Sequence, residues 1–283
     1  MSPATRNRLV PPLLALMLLA AFLVAWHVAV APPPSAAGMD PEYAKLMGAG
    51  AADAGAVSAV PGPGRVAARL VQLLADPFYD HGPNDKGIGV QLLASLGRVL
   101  IGFGLAVIVA LPLGFLVGTL RVAGRALDPF IQVLKPISPL AWMPLALYTI
   151  KDSGRSAIFV IFVCSLWPML LNTQFGVASV RSEWLDVART LEVSPWRRAF
   201  LVVLPAAAPT ILTGMRISVG IAWLVIVAAE MLVGGTGIGY FVWNEWNNLS
   251  LTDILVGILL IGVVGMALDQ LLGLAARAVA WRE

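Results

Sequence analysis

The sequence predicts an all-α membrane domain of about six transmembrane helices, and three observations carry that expectation. Of the 283 residues, 59% are hydrophobic and only 12% are charged, whereas a soluble domain carries roughly 25% charged residues. Mean hydropathy is +0.84. The apolar residues come in blocks long enough to cross a bilayer, and the blocks end in arginines. Such a chain lacks the polar side chains needed to cover a globule in water, which excludes an ordinary cytosolic enzyme and a disordered polypeptide. The single Cys164 and the widely separated His27 and His81 argue against a disulfide framework and against a Cys- or His-based metal centre.

The six apolar blocks run over about 9–31, 89–119, 128–150, 156–176, 207–233 and 252–275. Arg6 and Arg8 precede the first, and Arg121 and Arg125 follow the second. Arg181, Arg189, Arg197 and Arg198 lie between the fourth and fifth, and Arg277 and Arg282 follow the sixth. Placing these residues on one side puts both termini in the cytoplasm. The first block also resembles a signal peptide ending at Ala29-Val30-Ala31, but the apolar stretch continues through Ala31, so a retained anchor over 1–31 is expected. Residues 32–64, rich in Ala, Gly and Pro, read as an external linker. Val66, Leu70, Val71, Leu73 and Leu74 then share one side of a short helix over 65–76, suited to the membrane surface, and a polar turn over 79–87 ends it. Three segments follow: an anchor (1–31), an external linker with its interfacial helix (32–88), and a membrane core (89–283).

Within the core, Pro136, Pro139 and Pro144 are expected to break the third span and free backbone groups. Lys135 and Arg216 stand inside apolar runs, where a charge costs about 2.5–3.5 kcal/mol and normally faces a polar cavity or a partner. Two cations near mid-depth fit a path for a small anion, with Ser138, Asn172 and Thr173 as added hydrogen-bonding groups. The competing reading is neutralisation by the other intramembrane charges, Glu230 and Asp269. Arg216 and Glu230 lie about 21 Å apart along one helix, so they cannot pair with each other. Arg98, near the outer end of the second span, reads as structural. Trp142, Trp167 and Trp223 are candidates for a constriction, with core packing or interface anchoring as the alternative. Gly234 to Gly239 and the Trp243–Asn248 patch read as an external hinge with an aromatic and polar surface.

No G-x-x-x-x-G-K-[ST], H-E-x-x-H, G-x-S-x-G or C-x-x-C occurs, and Gly235-Thr236-Gly237-Ile238-Gly239-Tyr240 fails the dinucleotide fingerprint. The chain is therefore not expected to be an enzyme or to bind a cofactor or metal itself, and ATP-powered transport would need another subunit.

Residues 181–205 form the largest cytoplasmic connection and read as two short amphipathic helices, with Ser194 capping the second and Pro195 at its first position. A short projecting helix suits docking in a partner's groove. This segment resembles the signature loop of ABC importer permeases: E-A-A, three residues, G, nine residues, I, one residue, L-P. Asp186 stands at the Glu position, Val187 and Ala188 at the Ala positions, Val202 at the Ile position, and Leu204-Pro205 at the end, while Glu192 replaces the glycine. The resemblance implies a type I ABC importer permease fold. It also implies that Asp186, Val187, Ala188, Arg189, Leu191, Glu192, Ser194, Leu204 and Pro205 couple the spans to an ATP-binding subunit, which would hold ATP and Mg. Two such subunits, a second permease chain and an extracytoplasmic solute-binding protein are the implied partners beside the lipid bilayer; no nucleic acid is implied. The implied location is a bacterial inner membrane.

Stretches such as Lys135-Pro136-Ile137-Ser138-Pro139-Leu140-Ala141-Trp142-Met143-Pro144 and Gly220-Ile221-Ala222-Trp223 are similar to permeases for nitrate, bicarbonate, cyanate, taurine and sulfonates, nitrate above all. The implied cargo is nitrate or nitrite, with the other anions as alternatives. A non-transporting scaffold and a secondary transporter are the readings from other classes.

Overall fold

Pro136 and Gly234 stand just past the ends of two helices of this chain. The computed structural model describes residues 3–30, 60–82 and 84–279. Most of the expected linker, Ala31 of the cleavage-like triplet, Pro83 of the polar turn and Arg282 lie outside the described residues.

The chain divides into two units, Met1–Ala75 with Glu245–Val256, and Asp76–Asn244 with Gly257–Glu283. The first holds α1 (Pro3–Val30) and α2 (Pro63–Ala75). The expected interfacial helix is α2, which buries Val66 and Leu73. Its Arg69 Nε donates to Asp253 Oδ1 at 2.6 Å, and Ser250 Oγ donates to the other oxygen of that carboxylate at 2.7 Å.

The second unit begins with a small antiparallel hairpin, β1 (Asp80–Gly82) and β2 (Asp85–Lys86), where only a turn was expected. The Gly82 N–H, and then Lys86, hold the Asp80 carboxyl below the usual carboxylate range. There follow α3 (Ile88–Thr119), α4 (Arg121–Leu134), α5 (Pro139–Ile150) and α6 (Ser153–Ala178). Beyond them come α7 (Ser182–Thr190), α8 (Pro195–Arg198), a π-helical stretch (Ala199–Val203) and α9 (Leu204–Val233). Helices α10 (Ile238–Asn247) and α11 (Leu251–Val279) complete the order.

The core of this unit is the packing of α6 between α3 and α9. Along α3 the buried positions are Ile88, Gln91, Ser95, Val99, Gly102, Ala106, Ala110, Gly114 and Val117, a stripe with spacings of three and four. Most are small, so the backbones approach closely. A Cβ at Gly114 would collide with Thr173 and with the Leu170 carbonyl. Ala110, Ile131, Leu166, Met169 and Leu170 form one apolar cluster, and Val177, Val203, Ala207 and Ile211 another. At 32 residues α3 is about 48 Å long, well beyond the ~30 Å hydrocarbon thickness.

The third expected span is broken. Helices α4 and α5 meet at 92° across a short gap, and with 14 and 12 residues neither crosses the hydrocarbon alone. The break falls at Lys135 to Ser138. Pro139 takes the first position of α5, and Ser138 before it is extended, at φ −57° and ψ 136°. Pro144, expected to add to the break, sits inside continuous α5, which goes on to Ile150 although Pro144 has no N–H for the Leu140 carbonyl. Among the described residues, five helices or helical runs are long and apolar enough to cross a membrane, or six if the bent pair counts as one span.

Candidate functional site

The loop between α6 and α9 folds as helix, turn, helix. Helix α7 buries Ala188, and its half-buried Leu185 packs on the Val177–Val203–Ala207 cluster, so two residues three apart fasten it to the core. Its other apolar side chains, Trp184 and Val187, point outward with Leu191 just beyond, and Leu191 is 70% exposed. That stripe, spaced three and four apart, is an exposed apolar face, with the Arg181 guanidinium 6.0 Å from the Trp184 ring centre at its edge. Trp184 was missed from the sequence, although its spacing from Val187 and Leu191 carries the signal. Asp186 is exposed and accepts from Arg189 Nη1 at 2.9 Å.

Glu192 sits at φ 52°. Its N–H bonds to the Arg189 carbonyl at 2.9 Å and the Val193 N–H bonds to that of Ala188 at 3.0 Å. This pair of bonds is the Schellman ending of α7, and its left-handed position normally takes glycine. The tight turn survives the Gly-to-Glu departure, with a side chain held in the left-handed region. Ser194 stands at the N-cap position of α8 as expected, but its side chain makes no capping bond; Pro195 occupies the first turn. The second helix runs through the π-helical stretch into α9, so Leu204 and Pro205 open a membrane span.

Lys135 and Ser138 flank the 92° break, both exposed. Asn172 and Thr173 share a turn of α6 and return their donors to their own helix: Asn172 Nδ2 to the Pro168 carbonyl, Thr173 Oγ1 to that of Met169, each at 2.8 Å. Asn172 also lies against Gly214, two residues before Arg216. Arg216 donates through Nε and Nη2 to both oxygens of Asp269 on α11. Their side chains are 49% and 46% exposed. No hydrogen bond or ion pair joins Lys135 to Arg216 among the described residues. Trp223 is buried and its indole N–H donates to the Ile261 carbonyl at 2.9 Å. Trp167 packs on the Ala110–Met169 cluster, and Trp142 is half-buried on α5.

At the far end of α9 the structure holds a constellation that sequence reading did not assemble. Glu230, 2% exposed, accepts from Arg98 Nη1 at 2.6 Å, from Ser95 Oγ at 2.7 Å and from the Gly239 N–H at 3.0 Å. Arg98 Nη1 also donates to the Thr236 carbonyl, and the Gly237 and Ile238 N–H groups donate to Gln91 Oε1 and Ser95 Oγ. A Cβ at Gly237 would overlap the Glu230 carboxylate. The 234–239 segment, expected as a flexible hinge, is thus clamped to α3 and α9. The expected loop after it is helical: α10 starts where those N–H groups find acceptors. Tyr240 on α10 donates to Asn84 of the hairpin at 2.8 Å.

Long apolar helices, one candidate span broken at 92°, a helical loop fastened between α6 and α9 and a glycine segment clamped to α3 and α9 define a multi-pass membrane protein. The chain belongs to the family described as binding-protein-dependent transport system inner membrane components, whose model matches residues 110–281. It is 44% identical over 213 residues, 75% of this chain and 78% of the relative, to a nitrate import permease protein NrtB of Synechocystis sp.. It is likewise 44% identical to a bicarbonate transport system permease protein CmpB of the same organism, over 71% of this chain and 72% of that protein. Among solved structures, a chain of the MetNI methionine ABC transporter in an inward-facing conformation superposes with a TM-score of 0.60 at 15% identity, over 67% of this chain and 94% of that one. An amino acid ABC transporter with histidines follows at 0.53 and 12%, over 66% and 92%. The last two likenesses are of fold. The chain is an ABC importer permease.

Proposed function

We propose that this permease carries nitrate or nitrite inward across a bacterial inner membrane, with both termini in the cytoplasm. It works with two ATP-binding subunits that hold ATP and Mg, a second permease chain and an external solute-binding protein. The observation that carries the coupling is the exposed Trp184–Val187–Leu191 stripe on a helix fastened by Leu185 and Ala188. A partner that grips the stripe pushes α7. That push reaches α9 through the continuous helix from Pro195, and α9 is clamped at its other end to α3. The helices then rock as one body, which is how alternating access works.

The anion path we assign runs by Lys135 and Ser138 at the break, with Asn172 and Arg216 further along it; Thr173, buried against Gly114, stands behind Asn172 and does not border the path. The Arg216–Asp269 pair supports this: a half-exposed ion pair at span depth is too costly against lipid, so it borders polar space or another protein. Asp269 takes two nitrogens of Arg216 and leaves Nη1 for a passing acceptor. The hairpin and α10, joined by Tyr240 and Asn84, are assigned to binding-protein contact.

The relatives' names support nitrate first, and bicarbonate second through the permease CmpB. The test is ATP hydrolysis by the assembled complex in the presence of binding protein loaded with nitrate, nitrite, bicarbonate, cyanate or taurine. Nitrate or nitrite should stimulate most; stimulation by bicarbonate alone would transfer the assignment to the second reading.

A further inference from the structure

A cavity of about 450 Å³ opens beside the coupling loop. One wall is the end of α3, with Leu111, Phe115 and Leu116; the other is Trp196, Phe200 and Leu204 where α8 runs into α9. Pro112 and Ala199 complete a lining that is apolar throughout. The π-helical turn, Ala199–Val203, widens the second wall. Trp196, 77% exposed, stacks on Phe200 with ring centroids 6.3 Å apart.

The charged residues that follow each wall first in sequence are arginines. Arg197 and Arg198 follow Trp196 directly, and Arg125 lies on α4, nine residues beyond Leu116. None of these three forms an ion pair among the described residues. The groove lies on two membrane-spanning helices at the end where arginines gather, with an indole at the boundary, as interfacial tryptophans are placed. An occupant must therefore offer a hydrocarbon tail at span depth and an anionic head at the depth of the arginines.

We propose that this groove binds an anionic phospholipid, its acyl chain between Phe115 and Phe200 and its phosphate on Arg197 and Arg198. The lipid steadies the junction through which the coupling helix drives α9. This goes beyond the transport assignment and does not depend on which anion is carried.

The test uses the assembled complex in nanodiscs containing phosphatidylglycerol or phosphatidylcholine with brominated acyl chains. It reads the quenching of the tryptophan fluorescence component that Trp196→Phe removes. The expected result is stronger quenching of that component by phosphatidylglycerol. Arg197→Gln with Arg198→Gln should lower the preference roughly tenfold. Ala199→Leu, which fills the groove, should reduce quenching by both lipids. Equal quenching by the two lipids in the unaltered complex would overturn the proposal. So would a Trp196 component that neither lipid reaches because a partner subunit covers it. The arginine variant keeps the test decisive if the groove-filling one fails to assemble.

Discussion

Glu192 holds a left-handed backbone position that glycine would take without strain. Replacing it with glycine removes a steric cost of about 1–2 kcal/mol and adds back part of that through a freer unfolded chain. Glu192→Gly is therefore expected to raise the thermal unfolding midpoint of the purified permease slightly and to leave transport intact; a lower midpoint would contradict the turn geometry. At the opposite end of α9, the Glu230 carboxylate accepts from two segments, Ser95 and Arg98 of α3 and the Gly239 N–H at the start of α10. Removing one partner of a buried pair costs about 3–5 kcal/mol, because the other charge is left uncompensated. Glu230→Ala and Arg98→Ala should each sharply reduce the folded yield measured by size-exclusion chromatography. The double variant should lose less than the two single losses added together. The sequence displayed these charges plainly, and Arg98 could be read as structural. What it could not display was their pairing across 132 positions, since only the tertiary approach of α3, α9 and the glycine segment brings them together. Asp269 was likewise visible as a neutralising candidate for Arg216, but its bidentate geometry was not.

Element by element, legibility followed local rules. Spans α3, α6, α9 and α11 were readable because long apolar runs have few alternatives to a bilayer helix. The break in the third span was readable from Pro136 and Pro139, since proline restricts its own backbone and that of the residue before it. The 92° angle was not, because it depends on tertiary partners: Leu127 and Ile131 of α4 join the Ala110–Leu170 cluster, whereas α5 lies against α6. Residues 234–251 were misread because glycines and polar residues suggest a hinge, whereas buried acceptors on Gln91, Ser95 and Glu230 order the segment and start α10. Two predictions belong at this scale. Lys135→Ala, at the break, should raise the half-saturating nitrate concentration for uptake several-fold while protein level holds; an unchanged value would remove Lys135 from the path. Val187→Asp puts a charge into the exposed stripe of α7. Co-purification of the ATP-binding subunits should then fall roughly tenfold or more, as when an apolar anchor is lost from an interface. Unaltered co-purification would mean that the stripe is not the docking face.

For the whole molecule, the arginine bias supports the proposed orientation, with both termini in the cytoplasm. With Cys164 replaced by serine, a cysteine at Ser182 should react with a membrane-impermeant maleimide only from the cytoplasmic side, and one at Asn84 only from outside. The reverse pattern would invert the topology and remove the handle from the reach of any ATP-binding partner. The central claim is that force applied at α7 by a nucleotide-driven partner moves an oxyanion through this permease. The most direct measurement is nitrate uptake into proteoliposomes carrying the full complex, with ATP on the side of α7, comparing the unaltered chain with Asp186→Arg. Uptake that requires ATP and binding protein, and that falls at least tenfold in the variant, is the predicted result. Equal uptake by both chains, or uptake driven by a proton gradient without ATP, would contradict it.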